Sequence, residues 1–362
     1  MSCKVNGQSQ IVGTRKPLVA PYNMLSPTYF LEVEMRAVML ESFESGPSVR
    51  EVAVPAPGAN EVLVQVRAAS INPVDVAVMS GALKDAYEHG FPVVLGRDFA
   101  GVVEAVGGAV TRYAPGDDVF GFVHIVDPIV QAGSFAEYIV VAEDSAIAVK
   151  PAELDFGAAA TLPLSGTAAL LSIEVVAPAP GEPVLIAGAT GGVGRYAVQL
   201  AAASGAVVLA TGLPSDEADL RELGADAVFD YTDDVAAAVR ARHPDGIAGL
   251  VYLVNPPADF ASQAGLVSSG GRVATTVHAA DVEALRAAGV TAANIFATAD
   301  SAVIARLGEL ARRGALTPRI ERTYTLGEIT EGFSHMASGR ARGKLAVEFT
   351  GSTHAGGRVS FS

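Results

Sequence analysis

A chain of 362 residues, half of them hydrophobic, is long enough to fold as two domains with ample cores and needs no covalent staples. Its formal net charge of -14 excludes the surplus of Lys and Arg that phosphate neutralisation demands, so nucleic acid is not an expected partner. The one cysteine, Cys3, excludes an intrachain disulfide framework and a cysteine-based zinc site within one chain, which fits a reducing, cytoplasmic compartment. No apolar run reaches the roughly 18 residues of a membrane helix, and no membrane partner is expected.

Residues 1–34 carry Pro17, Pro21 and Pro27 among scattered polar residues without sustained periodicity. They read as a disordered extension, native or appended, with Met24 and Met35 as alternative starts, and they lack the apolar core of a secretory signal. From Met35 to about Asp155 the pattern is β. Residues 35–40 open it, 61–70 alternate cleanly, and 100–106, 118–123 and 135–141 follow. Pro57-Gly58, Gly107-Gly108 and Pro115-Gly116-Asp117 punctuate these runs, as in short antiparallel strands of a barrel or sandwich.

The pattern then changes. An apolar run, Pro183-Val184-Leu185-Ile186-Ala187, meets Gly188-Ala189-Thr190-Gly191-Gly192-Val193-Gly194 and then a helical pattern from Tyr196 to Ala201. Strand, glycine turn and helix in that order open a dinucleotide-binding fold, because glycines let the backbone approach a pyrophosphate seated on the free N–H groups of the helix start. Glycine turns also join strands to helices for packing alone, and context decides between the readings. Further β-like runs at 206–211, 226–231, 249–254 and 271–276 alternate with helical-length segments, which predicts a doubly wound parallel sheet and a nicotinamide or flavin cofactor. The Gly- and Ser-rich tail 351–362 reads as a second flexible end. The fold class is α/β, with a β domain ahead of a Rossmann domain.

Five blocks, taken together and in this order, carry a resemblance: Ile71-Asn72-Pro73-Val74-Asp75, Leu95-Gly96-Arg97-Asp98-Phe99-Ala100-Gly101, the turn 187–194, Leu223-Gly224-Ala225-Asp226 with Asp230-Tyr231, and Gly339-Arg340-Ala341-Arg342-Gly343-Lys344. From Met35 to Phe349 the chain resembles the medium-chain dehydrogenase/reductase superfamily, most of all its zinc-free quinone oxidoreductase (zeta-crystallin-like) branch. The resemblance implies a discontinuous GroES-like catalytic domain, 35–155 with 299–350, around a nucleotide-binding domain at 156–298. Zinc-dependent members carry a Cys and a Gly-His-Glu; here Gly96-Arg97-Asp98 stands in the latter place, and the six histidines are scattered without ligand spacing. No metal ligand is therefore expected. Arg97 and Asp98 read as an ion pair at the barrel edge.

A zinc-free site leaves hydride transfer to an acceptor polarised by its own conjugation, a quinone or an α,β-unsaturated carbonyl. By resemblance Asn72 lies beside the nicotinamide, although Asn-Pro also starts turns. Asp75 either orients a donor or caps a helix at 76–80. The proton comes from Tyr87 or from solvent. Resemblance also turns the loop 124–133 and the strand ends at Val254, Asn255 and Thr276 toward the cofactor. Lys344 is either a cofactor contact or a solvated charge, and Phe296 a pocket wall or a core residue.

The cofactor expectation is NADPH, with NADH as the alternative. The second strand of the α/β run ends in Thr211-Gly212 rather than the Asp or Glu of an NAD site, which leaves room for a 2'-phosphate. Against this, Asp216 stands uncompensated, with Tyr231 and Arg221 the remaining phosphate contacts. Three readings stay open: a quinone or enone reductase, a biosynthetic enoyl-thioester reductase, and a nucleotide-binding protein with a sensing or non-redox role. A homodimer is expected in each.

Overall fold

The computed structural model describes residues 34–126, 129 and 133–349. The expectations for residues 1–33, including Cys3 and Met24, for 351–362, and for 127, 128 and 130–132 of the 124–133 loop lie outside the described residues. The described chain opens with β1 (Glu34–Leu40), β2 (Pro47–Ala53), β3 (Glu61–Ile71), α1 (Pro73–Met79), β4 (Val93–Val94), β5 (Asp98–Val106), β6 (Asp118–Phe122), β7 (Tyr138–Ala142) and β8 (Ile147–Val149). Helices α2 (Phe156–Ala160) and α3 (Pro163–Val176) lead into β9 (Pro183–Ala187), α4 (Gly192–Ala203), β10 (Val207–Thr211), α5 (Glu217–Glu222), β11 (Ala227–Phe229) and α6 (Val235–Arg242). There follow β12 (Ile247–Tyr252), α7 (Phe260–Ala264), β13 (Val267–Thr275), α8 (Val282–Ala287), β14 (Thr291–Asn294), α9 (Ser301–Arg312), β15 (Ile320–Thr325), α10 (Ile329–Ala337) and β16 (Lys344–Glu348).

Strands β9 to β14 form a parallel sheet in the order β11-β10-β9-β12-β13-β14. The order reverses at β9, the switch point where doubly wound sheets place their ligands. The sequence of β9 explains its position. Val184 and Ile186 enter one apolar cluster with Tyr196 and Ala197 of α4, while Leu185 and Ala187 enter another with Val239 and Phe260 on the opposite face. A strand buried on both faces by helices reads as an unbroken apolar run rather than an alternating one.

The barrel lobe pairs its strands in the order β15-β16-β3-β5-β6-β8, with β7 also on β3. Strands β15 and β16, from the end of the described chain, thus extend the sheet of β3. Helix α3 joins the lobes. It is apolar on nearly all sides, as befits a helix buried over most of its length with only Glu174 exposed, and Leu170 and Ile173 pack in one cluster with Phe120 and Phe122 of β6 and with Val184 and Ile186 of β9.

Candidate active site

The turn after β9 is shaped for an anion. Gly188 takes φ +85°, a conformation L side chains rarely adopt, and its N–H donates to Thr211 Oγ1 at 2.9 Å. At Gly194 a Cβ would lie 2.1 Å from the Gly188 carbonyl oxygen, so only glycine lets α4 start against the turn. No side chain caps α4 at Gly191, which leaves the first N–H groups of this twelve-residue helix free at the end of the sheet. A Cβ on Gly191 would meet only the Gly188 oxygen, at 3.5 Å. The cradle therefore fits a dinucleotide pyrophosphate. Around it, Ala189 and Thr211 are buried supports, Val193 is half-buried in the first turn, and Val254 packs alongside Gly188. Asn255, exposed, and Thr276, half-buried, form the rim at the ends of β12 and β13.

At the outer end of the cradle the structure supplies a cation that the loop after β10 lacks. Arg342, on the turn before β16, donates from Nη1 to Thr190 Oγ1 at 3.0 Å and from Nη2 to Tyr231 Oη at 3.2 Å, and its Nη1 lies 3.5 Å from Asp216 Oδ2. Asp216 is thus compensated, contrary to its reading as an isolated carboxylate. Its Oδ2 also accepts the Leu213 N–H at 2.8 Å, which tightens the first turn leading to α5. Arg221, the cation expected here, is engaged elsewhere, by Glu217 Oε1 and the Asp226 carbonyl.

The inner end is a buried polar network assembled by sheet register. Strand pairing sets Asp98 opposite Ser70 and Leu345 opposite Ile71, so Asn72 after β3 and Lys344 at the start of β16 meet at one sheet end. Lys344 is 3% exposed. Its Nζ donates to Asn72 Oδ1 at 2.6 Å and Ser165 Oγ at 3.0 Å, and lies 3.5 Å from Asp98 Oδ2. Burial pushes its ammonium below the usual lysine range, while Asp98 and Asp75 oppose the shift. Asp98 accepts from Ser70 Oγ at 2.6 Å, Asn72 Nδ2 at 2.9 Å and the Leu164 N–H at 2.8 Å. Lys344 also reaches the cradle, since a Cβ on Gly192 would lie 2.7 Å from its Cδ.

Several residues behave differently from expectation. Lys344 is not a solvated charge, and Asp98 pairs with Lys344 rather than with Arg97, whose Nη1 donates instead to the His124 carbonyl at 3.2 Å. Alternate side chains of a strand diverge, which is why neighbours in sequence do not pair here. Asp75 lies inside α1, which begins at Pro73 and not at 76, because proline suits a first helical position. Its Oδ2 accepts the Asn72 N–H at 2.8 Å, and burial raises its carboxyl to about 7 against the pull of Arg97. Phe296 is no core residue: it is 63% exposed and packs its ring on His278. Tyr87 is half-buried against the apolar cluster around Val93 and Leu95, and its hydroxyl makes no hydrogen bond among the described residues. Ser70, Asp98, Ser165 and Arg342 were missed as a set because no local spacing links four residues brought together from separate segments.

No helix among the described residues is long and apolar enough to cross a membrane, and no three His, Cys, Asp or Glu side chains among them are grouped to hold a metal ion. Barrel lobe, doubly wound sheet and anion cradle define a two-domain, nicotinamide-dependent oxidoreductase. Residues 58–151 match the alcohol dehydrogenase GroES-like domain, and residues 223–347 match the zinc-binding dehydrogenase family. The chain is 32% identical over 348 residues to 2-methylene-furan-3-one reductase of Solanum lycopersicum, spanning 94% of this chain and 83% of that one. It is 36% identical over 251 residues to a quinone oxidoreductase of Sus scrofa, spanning 66% and 72%. The solved quinone oxidoreductase from Coxiella burnetii is similar with a TM-score of 0.79 at 27% identity, over 88% of this chain and all of that one. The chain belongs to the medium-chain dehydrogenase/reductase superfamily, in its quinone oxidoreductase-like branch.

Proposed function

We propose that the protein is a zinc-independent, NADPH-dependent reductase of quinones or α,β-unsaturated carbonyls. The observation that carries this reading is the buried network of Lys344, Asn72 and Asp98 beside the cradle: a cation and an amide locked in place by one another, where a zinc enzyme needs thiolate and imidazole donors. A second cation, Arg97, and the capture of His124 Nε2 by the Ala299 N–H make this donor set a poor fit for a divalent metal. Bound reduced nicotinamide supplies a hydride to the acceptor's electron-poor carbon. Asn72, fixed at both ends of its amide by Asp98 and Lys344, orients the ring, while the N–H groups of Gly192 and Val193 at the start of α4 hold the pyrophosphate. The Arg342, Thr190 and Tyr231 cluster favours the 2'-phosphate, hence NADPH over NADH.

A panel of quinones, enones and enoyl thioesters, followed at the nicotinamide absorbance with and without a chelator, tests the reading. Chelation should leave turnover unchanged. Tight NADPH binding without turnover of any acceptor would instead identify a non-redox nucleotide-binding protein, and turnover lost with a stoichiometric zinc would overturn the metal-free mechanism.

A further inference from the structure

Arg97 stands just ahead of β5 and is 6% exposed. Among the described residues its guanidinium makes one hydrogen bond, from Nη1 to the His124 carbonyl, and its buried Nε has no partner. Within electrostatic reach of it is Asp75, 1% exposed, whose Oδ2 is used by the Asn72 N–H and whose buried Oδ1 has no partner. The two charges attract each other, yet they form no ion pair. A buried guanidinium with unused donors, beside a buried carboxylate with an unused acceptor, is costly unless a third group completes both.

The location says what that group is. A line of contacts runs from Gly192 at the cradle to the Lys344 side chain, from its ammonium to Asn72, and from the Asn72 amide to Asp98, whose neighbour in the chain, Arg97, bonds the His124 carbonyl. His124 in turn accepts the Ala299 N–H, from the chain that follows β14. Arg97 therefore lies in the catalytic lobe one step beyond Asn72 as seen from the pyrophosphate. If Asn72 marks the nicotinamide, Arg97 marks the acceptor.

We propose that Arg97 is a catalytic residue, donating hydrogen bonds to the acceptor's carbonyl oxygen and holding the negative charge that collects there. The inference rests on the reductase reading above. For an enone, a C–H bond forms at the β-carbon with hydride from reduced nicotinamide. The π pair moves toward the carbonyl to give an enolate, and water returns a proton to the α-carbon. Arg97 serves the enolate oxygen, a fixed cation in the part a Lewis acid plays elsewhere, and Asp75 is the counter-charge that keeps the guanidinium aimed.

Loss of an oxyanion donor typically lowers kcat by a factor of about 100 to 1,000. Arg97→Gln should show a loss of about that size with enones while its NADPH Kd, read from nicotinamide fluorescence, stays within about twofold, and Arg97→Lys should recover at least about tenfold of it. An independent readout uses p-nitrophenol with the oxidised-cofactor complex: the parent should stabilise the bound phenolate and lower its apparent pKa by about one unit, and Arg97→Gln should not. Unchanged kcat in Arg97→Gln, or an equal phenolate shift in parent and variant, overturns the proposal. Should the Gln variant fail to fold, Arg97→Lys decides by the phenolate shift alone, an unaltered shift supporting a held charge and its absence in the parent refuting it. A parent that binds NADPH yet reduces no acceptor would refute the functional reading, and the phenolate titration would still report on Arg97.

Discussion

Arg342 illustrates how one side chain can alter the reading of a whole loop. From the sequence, a 2'-phosphate would meet the carboxylate of Asp216 with Tyr231 and Arg221 as its remaining contacts; in the fold, a guanidinium from the turn before β16 stands over that carboxylate and bonds Thr190 and Tyr231. A guanidinium presents several donors in a plane and suits phosphate oxygens. Arg342→Gln should keep the fold, since the residue is half-buried and makes no core contact. It should lower the kcat/KM ratio of NADPH to NADH by about tenfold, or ~1.4 kcal/mol, at moderate salt. An unaltered ratio would show that the phosphate is held elsewhere.

Helix α1 and strands β3, β5 and β16 matter less for their length than for where they begin and end. Proline at the first position starts α1 directly after β3, which turns Asp75 inward instead of toward water. The consequence is measurable. Burial raises the Asp75 carboxyl from 3.8 to about 7, so the folded protein binds this proton more tightly than the unfolded chain. Its contribution favours folding in full below about pH 4 and is lost as pH rises through about 7. Asp75→Asn fixes the neutral form and can still accept the Asn72 N–H. Relative to the parent, its unfolding free energy in urea should therefore gain about 1–3 kcal/mol between pH 5 and pH 8. A constant difference over that range would mean that Asp75 titrates like a solvated carboxylate.

At the scale of the molecule, α3 makes the two lobes thermodynamic partners. Leu170 and Ile173 belong to a cluster that includes Phe120 and Phe122 of the barrel and Val184 and Ile186 of the parallel sheet. Unfolding either lobe alone would expose the other half of that cluster, at about 25 cal/mol for each Å² of apolar surface. Far- and near-ultraviolet circular dichroism should therefore report one coincident thermal transition, shifted upward by saturating NADPH. An early step that removes NADPH binding while the barrel signal persists would show that the shared cluster does not couple them.

The sequence by itself determined the α/β class, the glycine cradle and the succession of a β region and an alternating one, because each depends on contacts close along the chain: a turn and the helix after it, or a strand and its period. It also singled out Asn72, Asp75 and Lys344, although the neighbourhood of each stayed open between a site and a bland surface. Only the tertiary structure decided those neighbourhoods. Register alone set Asp98 across from Ser70 and brought Lys344, 272 residues away, to within 2.6 Å of Asn72. The same closure placed Arg342 over Asp216 and turned Arg97 away from Asp98 toward the His124 carbonyl. Charges can be counted along a chain, but what they attract is fixed by distance and burial, and both arise when the sheet closes.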